Sequence, residues 1–167
     1  GISAELAHRL GIERFINTDA IREIMRYMIP RDLMPVLHTS SFETDLSFSH
    51  SNPDSNNHLL FGFSEQTNLV CQGVRAFIKR MVKEGLKTII DGVHLIPGHL
   101  QLEDEILETA HVFHFILHLS DREEHIERFH LRSRGSKRNP ARYIEAMDNI
   151  EEIQSYIKER AQEHSVI

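Results

Sequence analysis

Three groups of side chains have the types and spacing to act on an anionic substrate. The first is Asp19, Arg22 and Arg26. On a helix beginning at Asp19, the two arginines lie four apart and share a face. A helix N-terminus with a carboxylate and stacked arginines can hold an anion while the carboxylate takes a proton or orients a metal. The same residues also read as a plain N-cap followed by solvated arginines beside Glu23. The second group closes the run Thr88-Ile89-Ile90-Asp91-Gly92-Val93-His94. A buried apolar strand ending in a carboxylate holds Mg²⁺ or its water shell in phosphoryl-transfer folds, whereas the bland reading is an ordinary Asp-Gly turn. The third group is basic: Arg128, Arg132, Arg134, Lys137, Arg138 and Arg142. A loop between two helices could close it over nucleotide phosphates, and a solvated surface is the alternative.

Other candidates are weaker. His38, Ser40 and Ser41 fall together in an irregular stretch and could contact a polar ligand, with no partner acid to complete a nucleophile triad. Histidine is frequent, at 12 residues, yet there is no His-Glu-x-x-His pair. On a strand, His114 and His118 would face the same way but stand about 14 Å apart, too far to share one ion. Cys71 falls near an apolar helix stripe and reads as a small buried residue rather than a nucleophile.

The elements that must position these groups follow from periodicity and punctuation. Ile2 to Leu10 reads as a helix stopped by Gly11, and Arg14 to Asn17 as a short strand. Thr18 or Asp19 would cap a helix to about Met28. Residues 30 to 46 lack clear periodicity, and 47–58 is a polar, turn-rich loop expected to be mobile. A long helix from about Ser64 to Glu84 carries Val70, Val74, Phe77, Ile78 and Met81 on one stripe, with Gly85 as its stop. Lys87 to Asp91 reads as a strand, 102–108 as a short helix and Val112 to Leu119 as a further strand. A helix from near Asp121 runs into the basic stretch, and Pro140 opens a last helix. Val166 and Ile167 resemble the start of another strand. Strands alternating with helices predict an α/β domain, a parallel sheet covered on both faces. Ligands in such sheets bind beyond the carboxyl ends of the strands, where Asp19 and Asp91 fall.

Composition narrows the class of function. The chain has 167 residues, enough for one domain. With 19 Lys+Arg against 25 Asp+Glu, its net charge of −6 argues against nucleic acid or an anionic membrane as the main partner. A single cysteine excludes a disulfide framework and a multi-cysteine zinc site, and it fits a reducing, cytoplasmic setting. No apolar run is long enough to span a bilayer.

Several stretches together resemble the 2-phosphoglycerate kinase family of P-loop kinases. They are Asn17 to Arg26, Pro35-Val36-Leu37-His38-Thr39-Ser40-Ser41-Phe42, Gly62 to Gln66, Ile89 to Gly98, and Arg128-Phe129 through Tyr143. The Leu-His-x-Ser-Ser and Gly-Val-His-Leu-x-Pro-Gly patterns are the specific ones. The resemblance implies a three-layer, P-loop kinase-like parallel sheet with helices on both faces. It implies transfer of the γ-phosphoryl of ATP, with Mg²⁺, to the hydroxyl of 2-phosphoglycerate, giving 2,3-bisphosphoglycerate. By position, Asp19 would be the base or metal-orienting acid, and Asp91 would stand at the Walker B position as the metal-holding carboxylate. The resemblance leaves open which of the two handles the proton. Arg22 and Arg26 would hold the substrate's carboxylate and phosphate, with His38, Ser40, Ser41 and His94 lining the acceptor side. Arg128, Arg132, Arg134 and Arg138 would belong to a nucleotide lid spanning 128–142.

One departure from the family stands out. The family places a glycine-rich Walker A loop ending Gly-Lys-Ser/Thr directly before the helix that here begins at Ile2, and this chain has only Gly1 there. The chain therefore reads as a partial domain without its first strand and nucleotide cradle. A non-catalytic domain that binds phosphometabolites is the alternative from another functional class.

Overall fold

The computed structural model describes residues 1–44, 58–134, 137 and 139–166. These form two compact units, Gly1–Phe113 and His114–Ile167. In the first, α1 (Ile2–Leu10) ends at Gly11, whose φ of 62° is the left-handed conformation that glycine adopts without strain. Strand β1 (Arg14–Asn17) leads directly into α2 (Thr18–Met28). A 3₁₀ turn at Pro35–His38 precedes α3 (His58–Lys83). Strand β2 (Thr88–Asp91) and α4 (Asp104–Thr109) complete this unit.

The two strands pair in parallel, with Arg14 opposite Thr88 and Asn17 opposite Asp91. This register aligns their carboxyl ends, so the loops that leave both strands emerge side by side. The core beside the sheet is built from Ile21, Leu37, Val70 and Val74, with Ile16 and Ile90 packed against it. The α2–α3 contact is close: a Cβ on Gly73 would fall 2.5 Å from the Ile21 Cγ2 methyl.

In the second unit, Asp121 caps α5 (Arg122–Ser133) by accepting from the Glu123 and Glu124 amides. Asn139 caps α6 (Pro140–Glu145), and α7 (Met147–Glu163) follows. Gln154 of α7 holds the chain at Leu119, accepting from its N–H at 3.1 Å and donating to its carbonyl at 2.9 Å. His125, Phe129 and Tyr143 form a stacked ladder with centroid spacings of 4.8 and 5.1 Å.

Several expectations are corrected. The described residues contain two strands, and Val112 to Leu119 is not among them. That stretch has strand-like alternation, but no described strand offers it a ladder, and Phe113, Phe115 and Leu117 are exposed. Helix α3 starts at His58 rather than Ser64, because Leu59 and Phe63 lie one turn apart and are both buried. The last helix is two: the backbone turns non-helical at Ala146, a break that no Gly or Pro signals. Asn17, not Thr18 or Asp19, caps α2 by accepting from the Ala20 N–H at 2.7 Å. Val166 is in no strand, and Ile167 lies outside the described residues, as do 47–57 of the expected mobile loop. Of the expected lid, Arg128 and Arg132 are helical in α5, Arg134 ends that helix, and Arg138 lies outside the described residues.

Candidate functional site

The carboxyl ends of β1 and β2 carry the site. Because Asn17 does the capping, the Thr18 hydroxyl and the Asp19 carboxylate are left for other work. Thr18 is fully buried, and its Oγ1 lies 2.8 Å from His94 Nδ1. Gly92 permits this approach. Its φ is +148°, and a Cβ there would meet Thr18 Oγ1 at 1.9 Å, so no other residue allows the β2 loop to lie on the start of α2. Asp91 is exposed at the end of β2, opposite Asn17.

His94 is the buried centre of the arrangement. Its Nε2 lies 3.0 Å from Gln66 Oε1 and 3.2 Å from Ser41 Oγ, and Ser41 donates to the same Gln66 oxygen at 2.8 Å. The Gln66 amide nitrogen donates to the carbonyls of Val36 and Thr39. Cys71 donates its S–H to the His94 carbonyl at 3.3 Å, and Phe63 packs against the ring at a tilt. Burial, with a smaller contribution from the nearby Arg22 guanidinium, pushes the His94 imidazole down to about 3, so the ring is neutral at physiological pH. Burial likewise pushes the Cys71 thiol up to about 11, which makes it inert.

Arg22 supplies the positive charge. It donates to the Thr39 carbonyl and stands 3.6 Å from the Asp19 carboxylate, while its own side chain is only 16% exposed. The half-buried cation therefore lies beside a carboxylate and near the neutral imidazole that Ser41 contacts. This arrangement can receive a small anion and offer a hydroxyl group a nearby base.

The sequence-derived candidates divide accordingly. Asp19, Arg22, Ser41 and His94 are joined through this network, with Asp91 at its sheet edge. Arg26, one turn further along α2, is exposed and pairs with Glu23. His38 donates its Nε2–H to the Ile29 carbonyl at 2.9 Å, which leaves only Nδ1 for a ligand. Ser40 lies beside Ser41 and is half-buried. Arg128 pairs with Glu124 and belongs, with Arg132 and Arg134, to the second unit. Among the described residues no three metal-binding side chains cluster. Thr18 and Gln66 were missed as site residues. Gln66 had a readable signal, since it lies four and eight residues before Val70 and Val74 on a stripe that is otherwise apolar.

The chain is similar over 99% of its length to proteins named 2-phosphoglycerate kinase. The one from Pyrococcus furiosus is 41% identical over 165 residues, that from Thermococcus kodakarensis 37% over 166, and that from Methanothermobacter thermautotrophicus 36% over 167. These likenesses support the 2-phosphoglycerate kinase family. It spans about half the length of the curated relatives it matches, 52% of the first and 54% of the other two. No family model and no solved structure matches it. The stretches Leu37 to Ser41 and Gly92 to Gly98 deliver Ser41 and His94 to the site.

Proposed function

We propose that these residues form the phosphoryl-acceptor side of a kinase that moves the γ-phosphoryl of ATP to the hydroxyl of 2-phosphoglycerate, giving 2,3-bisphosphoglycerate. The observation that carries this reading is the half-buried Arg22, held by the Thr39 carbonyl beside Asp19 and the neutral His94. An acceptor with a carboxylate and a phosphate needs a fixed cation and neutral donors, and this arrangement offers both. In the proposed roles Arg22 and Arg26 bind the anionic groups, His38, Ser40, Ser41 and His94 line the acceptor side, and Asp19 accepts the hydroxyl proton. The relatives' name supports this acceptor.

Asp91 fits the divalent cation that such a transfer uses. It is an exposed carboxylate at a strand end. Mg²⁺ commonly takes one or two protein carboxylates and fills the rest of its shell with water and phosphate. Bound there, the ion would supply charge neutralisation on the transferred group. These 167 residues contain no Gly-x-x-x-x-Gly-Lys-Ser/Thr stretch, so they do not themselves supply the amide cradle for the ATP phosphates. Arg128, Arg132, Arg134 and Arg138 are proposed for the nucleotide lid on the family resemblance alone. The three-layer sheet, with the nucleotide strand and loop, is proposed for the longer protein.

The test is Mg-ATP-dependent ADP release with 2-phosphoglycerate, comparing this chain with the full product of its gene. Release by the full product supports the kinase. Silence in both, with 2-phosphoglycerate still bound, overturns it in favour of a phosphometabolite-binding regulatory domain.

A further inference from the structure

Gln66 sits fully buried on α3 where three chain segments meet, and chemistry fixes which way its amide points. Its nitrogen donates to the Val36 and Thr39 carbonyls, the second at 3.1 Å. Carbonyls only accept, so the amide oxygen is the atom that faces His94 and Ser41. An amide oxygen also only accepts. His94 Nε2 must therefore carry the ring proton, Nδ1 is bare, and the Thr18 hydroxyl donates to it.

From this we infer that Gln66 is a positioning residue: it holds His94 in the Nε2–H form, so the Ser41 hydroxyl can turn and donate to an anionic acceptor. The identity of that acceptor rests on the reading proposed above. In the structure Ser41 gives its proton to Gln66 Oε1. When that proton swings to a ligand oxygen, Oε1 keeps the His94 Nε2–H at 3.0 Å, and no buried acceptor is orphaned. With the other tautomer, two lone pairs would face each other across that gap and the Ser41 proton would be pinned between them. The neighbours preserve the neutral ring. Arg22 stands near it on α2 with Asp19 as its counter-charge, and the α3 groups that meet His94, namely Gln66, Phe63 and Cys71, carry no charge.

The decisive measurement is the long-range nitrogen–proton NMR spectrum of the His94 imidazole in the full gene product at neutral pH. The Nε2–H pattern is expected in the wild type and in Ser41→Ala, and a tautomer mixture in Gln66→Leu. Ser41→Ala should raise the KM for 2-phosphoglycerate about tenfold, with a smaller change in kcat. An Nδ1–H or doubly protonated ring in the wild type overturns the inference even if Gln66→Leu fails to fold. So does an unchanged KM in Ser41→Ala. If the wild type turns over no 2-phosphoglycerate, the kinase reading fails separately. The spectrum then still decides the role of Gln66, and the Kd for inorganic phosphate in wild type against Ser41→Ala decides that of Ser41.

Discussion

Arg22 reaches the site with its geometry already fixed by the Thr39 carbonyl, so an arriving anion has little ordering left to impose. Arg22→Ala should raise the KM for 2-phosphoglycerate by about ten- to a hundredfold, and Arg22→Lys should not restore it, because a compact, strongly hydrated ammonium lacks the rigid planar fork that binds an anion bidentately. Asp19→Asn should lower kcat by about a hundredfold with little change in KM, since a base acts on the transition state rather than on binding. Steady-state kinetics on both variants check these roles, and intact kinetics in Asp19→Asn would remove it as the base. His94 gives a prediction on stability. The folded state keeps it neutral down to about pH 3, whereas the unfolded chain takes the proton near 6.5. Its contribution is therefore intact above about 6.5 and is lost as pH falls toward 3, by up to about 1.4 kcal/mol per pH unit. Urea titrations across that range should show the slope in wild type and a flatter one in His94→Gln.

At the scale of elements, two glycines set the distances that the site depends on. Gly92→Ala combines a positive φ with a collision against Thr18 and should cost about 2–4 kcal/mol, together with the Thr18–His94 hydrogen bond. Gly73→Ala would raise helix propensity by about 1 kcal/mol, yet its Cβ would press on the stiff, β-branched Ile21. The clash should win by about 1 kcal/mol or more, and thermal melts of both variants decide. These elements were legible to different degrees. The glycine stops at 11 and 85 and the strand at Arg14–Asn17 were plain, because local chemistry decides them. The strand expected at Val112 to Leu119 failed, since alternation records a preference while a strand also needs a neighbouring edge. The positions of Asp19, Arg22 and Asp91 at strand ends and a helix start were readable. Gln66 left only the trace of a polar residue on an apolar stripe, because its role depends on four partners brought together from distant parts of the sequence.

On the scale of the whole molecule, the 167 residues leave a good deal of apolar surface uncovered. Ile2, Leu6 and Leu10 on α1 are exposed, as are Ile24, Tyr27, Met28, Leu33, Phe113, Phe115 and Leu117. Large exposed apolar groups bind partners or promote association. The isolated chain should therefore bind a hydrophobic dye and scatter light as its concentration rises, and the full gene product should do so less. Equal dye binding by both would show that this surface stays open in the longer protein. None of the described helices is long and apolar enough to cross a membrane, so these residues do not form a helical span. The only cysteine of the chain adds a practical consequence. Cys71 is wholly buried on α3 and tied to the backbone of the residue at the site's centre. A thiol reagent can reach it only when α3 parts from the His94 loop. Its alkylation rate is thus a native clock for opening of the site, running without any introduced label. Bound acceptor should slow that clock, and Gly92→Ala should speed it.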